Sequence, residues 1–153
     1  MIEANMQTDM EHNILMTQIG YENLLCKIAE KEKEYDQVRD HRQVAFELSG
    51  DGWHDNPEFN RMQQLEANLN HTLKTLNDRL DVMKFIDIHD DMRNVQQVEV
   101  GSIVQLRRYD LADDSEQEEI WEIRGFDETN IKLKHLAYNA PLAEKIMHLH
   151  VGD

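Results

Sequence analysis

Apolar residues recur at steps of three and four through the first half of the chain. From Phe59 the series runs through Met62, Leu65, Leu69, Leu73, Leu76, Leu80 and Met83. This heptad-like stripe has Gln, Asn, Glu, Lys, Arg and Asp between its members and predicts a long helix with one buried face. Upstream, Ile14, Ile19, Leu24, Leu25, Ile28, Tyr35, Val38 and Ala45 form a looser stripe, interrupted by Lys31 and Arg42. One break, Ser49-Gly50-Asp51-Gly52 with Pro57 just after it, separates the two. Two long helices with one short break between them fold back as an antiparallel hairpin. Gly50 suits the left-handed position that closes a helix. Asn56 before Pro57 reads as N-cap and first helical residue, since the Asn side chain accepts an orphan amide proton and proline has none to place. The tip then covers residues 50–56. A second helix of roughly 28 residues would run about 42 Å at 1.5 Å per residue.

After Asp91 the pattern changes. Val98, Val100, Ile103, Val104 and Leu106 are β-branched or aliphatic, with Gly101-Ser102 as a bend. Ile120-Trp121-Glu122-Ile123 and residues 131–136 have strand-like composition with partial alternation. Residues 141–147 suit a short helix and 148–151 a strand. The expected class is α+β, with a helical hairpin over residues 13–90 and a small mixed β domain over 96–153.

Composition narrows the function. The 153 residues include 16 Lys+Arg and 31 Asp+Glu, a net charge of −15. Binding to duplex DNA depends on neutralising phosphates with cations, so free duplex DNA is a poor partner, and so is an anionic membrane. A basic protein surface or a divalent cation suits this chain better. No apolar run approaches the ~20 residues of a spanning helix. One cysteine, Cys26, excludes an intramolecular disulfide, and nothing argues for export, so a cytoplasmic protein is expected. Cys26 beside the stripe reads as a small buried residue. Residues 110–128 hold nine acids against Arg124 as the one base, and the first part reads as a solvated hairpin loop. His148 and His150 would share a face of a strand, but no third ligand with zinc-like spacing accompanies them. No Ser-His-Asp pattern, P-loop or dinucleotide fingerprint appears, so a free-standing enzyme is not expected.

Four stretches resemble the bacterial Gre transcript-cleavage factors (GreA/GreB). Thr17-Gln-Ile-Gly-Tyr-Glu-Asn-Leu24 is similar to the family's Thr-x-x-Gly-Tyr-x-x-Leu at the start of the first helix. Gly50-Asp51, then Asp55-Asn56-Pro57-Glu58-Phe59, resembles the family tip, Gly-Asp-Leu-x-Glu-Asn-x-Glu-Tyr. Val98-x-x-Gly101-Ser102-x-Val104-x-Leu106 is like the opening strand of the family's FKBP-like C-terminal domain. Ala140-Pro141-Leu142-Ala143 and Val151-Gly152-Asp153 are like its Ser-Pro-Leu-Gly and Val-Gly-Asp.

The resemblance implies a factor that binds RNA polymerase through its C-terminal domain and inserts the hairpin into the secondary channel. It implies that the tip acids, here Asp51 and Asp55, act catalytically by holding a Mg²⁺ shared with the polymerase. The polymerase would then cleave the 3′ end of a backtracked transcript, so the factor stimulates a nuclease rather than being one. The donor chemistry is reasonable, because Mg²⁺ takes oxygen ligands and is often held by one or two carboxylates plus substrate phosphate. Trp53, His54, Asn56, Glu58 and Phe59 are the implied tip contacts. Asn56 also serves as a helix cap, Glu58 favours the helix N-terminus, and Trp53 reads equally as a buried anchor or an exposed contact.

The tip departs from the family pattern in two ways. Its second acid is Asp rather than Glu, shorter by one methylene or about 1.5 Å. One residue is also inserted, so Gly52-Trp53-His54 stands where the family has two. Two other readings therefore stay open: a Gre-like paralogue that blocks or modulates the channel without cleavage, and a coiled-coil scaffold whose tip binds no metal.

Overall fold

The structure is a computed structural model and describes residues 13–110, 112 and 114–153. The fold is α+β. In chain order the elements are β1 (Ile14–Met16), α1 (Gln18–Ser49), a 3-10 helix (Gly50–Asp55), α2 (Pro57–Asp81) and β2 (Met83–Phe85). There follow a short 3-10 turn (Asp90–Met92), β3 (Ile103–Asp110), β4 (Ser115–Arg124), β5 (His135–Ala137) and α3 (Pro141–Ile146). The described chain divides into two compact units: Glu22–Val82, and residues 13–21 together with Met83–Asp153.

The first unit is the antiparallel hairpin. Contacts near the turn, Phe46 with Phe59, give way to contacts farther from it, Arg42 and Tyr35 with Glu66. The buried seam is Leu24, Ile28 and Ala45 from α1 with Phe59, Met62 and Leu76 from α2. The stripe is narrower than its spacing predicts. Leu65 is 39% exposed and Leu25 40%. A helix with a single partner covers only the seam, so positions flanking it stay open. Cys26, expected to be buried, is exposed. It lies two residues from both Leu24 and Ile28, which turns it away from the face they share. A polar cluster interrupts the seam: Arg42 Nε lies 2.8 Å from Glu66 Oε2, and the Tyr35 hydroxyl donates to Glu66 Oε1 at 3.3 Å.

In the second unit two sheets form. β1 pairs in parallel with β2, Ile14 opposite Met83 and Met16 opposite Phe85. Ile14 and Met83, read from their spacing as members of the helical stripes, are therefore strand residues. Ile19, also assigned to the stripe, is 60% exposed. The second sheet has order β3-β4-β5, antiparallel then parallel. Its core is Val104, Trp121, Ile123, Leu136 and Ala143, with Ile123 fully buried.

Three sequence expectations change here. Residues 116–119 are strand rather than loop: β4 pairs along the whole of β3, and Arg107 bridges to Glu116 at 2.7 Å and to Glu118 at 3.5 Å. The opposing charges make this acidic ribbon a viable strand. Residues 131–134 form a turn, not a strand. Asn130 Oδ1 accepts from the amides of Lys132 and Leu133, and Lys134 has φ +56°. That side-chain turn overrides the alternating pattern. Near the C-terminal end only His150 makes an isolated bridge, to Gln97, in place of the expected strand.

The Thr17-x-x-Gly20 spacing has a structural explanation. The Glu128 carboxylate sits at the start of α1, accepting from the Thr17 amide at 3.0 Å and from the Thr17 hydroxyl. The Thr17 hydroxyl oxygen in turn accepts from the Gly20 amide at 3.4 Å. A Cβ on Gly20 would come within 2.8 Å of the Glu128 carboxyl carbon, so glycine leaves room for the cap. An acid here also favours the helix N-terminus.

Candidate functional site

The tip is built by the end of α1, the 3-10 helix and the start of α2. Gly50 has φ +54°, as the end of a helix requires, and a Cβ there would meet nothing within 4 Å. Its role is conformational. The segment expected as a loop is a single 3-10 stretch, Gly50–Asp55.

Asn56 fastens this stretch at its far end. Its Oδ1 accepts from the amides of Glu58 at 2.9 Å and Phe59 at 3.4 Å, which is the expected cap. Its Nδ2 also donates to the Ala45 carbonyl at 3.2 Å and to the Ser49 hydroxyl. One side chain thus caps α2 and ties it to the last turn of α1. Ser49, not singled out from sequence, takes part by donating to the Ala45 carbonyl at 2.6 Å.

Trp53 is half-buried. Its ring lies 5.8 Å from Phe46, 5.1 Å from Phe59 in an edge-on arrangement, and 3.5 Å from His54. Phe59, at 6% exposure, belongs to the hairpin core beneath it. Phe46 was missed because it falls off the apolar spacing of α1, and only the folding back of the tip gives it a neighbour. Glu58 is exposed and pairs with Arg61 at 3.1 Å, a hydrogen bond that holds the Arg61 guanidinium above its ordinary range.

Asp51 and Asp55 are both exposed, as is His54. Neither carboxylate has an ion-pair partner among the described residues. In an ideal 3-10 helix, positions four apart lie about 8 Å apart along the axis and a third of a turn round. The two acids are therefore more than one turn apart and start from different faces of the 3-10 stretch. Among the described residues no three His, Cys, Asp or Glu side chains are grouped to hold a metal ion. The tip offers at most two carboxylates, a donor set that fits Mg²⁺ only where further ligands come from elsewhere. His148 has φ +67°, and His150 faces Asp153 at 3.6 Å.

Comparison with protein-family models finds no match, and neither does comparison with curated proteins. Among solved structures the chain is similar to the GreA factor homolog 1 (Gfh1) protein of Thermus thermophilus. That similarity has a TM-score of 0.47 and 17% identity, over 92% of this chain and 86% of that one. It is also similar to Thermus aquaticus Gfh1, with a TM-score of 0.47 and 17% identity over 93% and 86%. No helix among the described residues is long and apolar enough to cross a membrane.

Proposed function

We propose that this chain is a transcription elongation factor of the Gre type, acting on RNA polymerase from the secondary channel. The β unit would carry most of the affinity for polymerase, and the hairpin would bring its tip to the active site and the transcript 3′ end. The observation that carries this reading is the tip itself: two exposed carboxylates without ion-pair partners among the described residues, on a turn fastened by Asn56 and Trp53 at the end of a long hairpin. The motif residues support it, because Thr17, Gly20, Gly50 and Asn56 each have a definite local role.

In this reading Asp51 and Asp55 would hold Mg²⁺ jointly with the polymerase's own ligands. The chemistry supplied when Mg²⁺ is held there is activation of the attacking water and stabilisation of the leaving oxygen. The protein's own part is placement: the hairpin sets the depth, the capped turn sets the spacing of the acids, and their freedom from ion pairs leaves both oxygens available. The protein is then not an enzyme itself. The net charge of −15 weakens any contact with free duplex DNA.

A second reading is favoured by one observation, the close Trp53–His54 ring pair at the turn. With the shorter Asp55, it fits a paralogue that occupies the channel and modulates transcription without cleavage. Adding the full chain to a stalled, backtracked elongation complex separates these. Transcript shortening that is lost in Asp51→Asn supports cleavage. Polymerase binding with no shortening supports the modulator, and absence of polymerase binding overturns both.

A further inference from the structure

The tip turn is a single 3-10 stretch, Gly50–Asp55. A 3-10 helix has poorer hydrogen-bond geometry than an α-helix, and this one contains two permissive glycines, Gly50 and Gly52. The backbone bond that closes its far end is from the Asn56 amide to the Trp53 carbonyl, at 3.2 Å. The turn contains one large apolar side chain, Trp53, placed midway between Asp51 and Asp55. Its ring reaches both helices, Phe46 on α1 and Phe59 on α2, and has the tilted His54 ring beside it. Aromatic pairs at these separations are attractive beyond simple burial.

We propose that Trp53 is a positioning residue for the tip acids. Seated against Phe46 and Phe59, it holds the Gly50–Asp55 turn in one conformation, so that Asp51 and Asp55 are presented at a fixed spacing. Ordering two carboxylates in advance removes a conformational cost from any later joint binding to a cation. The same packing turns Trp53 inward and leaves its neighbour His54 as the exposed ring. The part of this inference that concerns cleavage rests on the function proposed above, whereas the part that concerns tip order does not.

Two measurements on the full chain test it. The first is amide hydrogen exchange. Trp53→Ala should raise exchange across residues 50–56 by about tenfold or more while protection around Leu24 and Leu76 is kept, and Trp53→Phe should stay near wild type. Should Trp53→Ala lose protection at Leu24 and Leu76 as well, Trp53→Leu is read in its place. The second is cleavage by backtracked complexes titrated with Mg²⁺. Trp53→Ala should need severalfold more Mg²⁺ for half-maximal rate, with polymerase affinity held and Trp53→Phe restoring the wild-type requirement. Asp51→Asn should abolish cleavage without loosening the tip. Unchanged tip exchange in Trp53→Ala overturns the proposal. So does a Trp53→Ala protein that loses polymerase affinity at an unaltered Mg²⁺ requirement, because Trp53 is then a contact. If wild-type protein cleaves nothing, the cleavage reading falls and the exchange result alone decides the role of Trp53.

Discussion

Asn56→Ala is expected to destabilise the hairpin by about 2 kcal/mol, in two separable parts. The first is the cap. Oδ1 accepts from the Glu58 and Phe59 amides, and replacing such a cap by alanine costs typically about 1 kcal/mol. The second is the link to α1 through Nδ2, which donates to the Ala45 carbonyl and the Ser49 hydroxyl. The Ala45 carbonyl keeps Ser49 as a donor, so it is not left unsatisfied, and this part is about 1 kcal/mol rather than more. Asn56→Ser retains an accepting oxygen for the cap and removes the Nδ2 donor, so it should cost about half as much. The two compact units need not melt together, so the reporter must belong to the hairpin. Trp53 fluorescence in a Trp121→Phe background meets that need. For a unit of this size, 2 kcal/mol corresponds to a fall in Tm of about 8–16 °C. A loss below about 0.5 kcal/mol for Asn56→Ala, or equal losses for Asn56→Ala and Asn56→Ser, would refute the two-part account.

Other outcomes follow from the same geometry. Asp51→Asn and Asp55→Ala should leave thermal stability within about 0.5 kcal/mol, since both sites are exposed, yet abolish cleavage if the proposed function holds. In the same assay Asp55→Glu should raise the rate, and a rate unchanged by all three substitutions would remove the acids from the mechanism. Gly125→Ala should destabilise the β unit by about 2–4 kcal/mol, because the new Cβ would lie 2.9 Å from the Leu15 carbonyl oxygen and run into the Glu128 carboxylate. Urea unfolding followed by Trp121 fluorescence measures that cost, and near-wild-type stability would contradict the packing. Burial raises the Tyr138 pKa above its ordinary 10.0, against the opposing hydrogen bond from the Leu15 amide. The folded state thus keeps this phenol protonated where the unfolded chain would ionise. Its contribution is intact below about pH 10 and lost as pH rises through the raised value. Tyr138→Phe should cost about 1 kcal/mol at neutral pH and flatten the alkaline loss, as read from unfolding curves between pH 8 and 11.

The hairpin was legible because its determinants are local. The apolar steps from Phe59 to Leu80 mark α2 for nearly its whole length, and Gly50 and the Asn56-Pro57 pair mark where the chain stops and restarts. A left-handed φ, a capping oxygen and a proline at the first helical position act within a few residues, so composition and order alone reveal them. Asp51 and Asp55, by contrast, were singled out through the resemblance of the tip to the Gre family, and the structure adds that both are exposed. What the sequence left undetermined depends on residues distant in the chain. The three-residue strands Ile14–Met16 and Met83–Phe85 are too short to show a period, and they exist only because each supplies the other's backbone partners. The acidic run at 116–119 becomes a strand only opposite Arg107 and its neighbours. Trp53 was ambiguous until the fold brought Phe46 and Phe59 to it, and Cys26 and Leu65 could be placed only once α1 and α2 had covered a seam narrower than their stripes. Helix boundaries follow from short-range backbone preferences, whereas burial and strand pairing are properties of two surfaces and are decided only when both are in place.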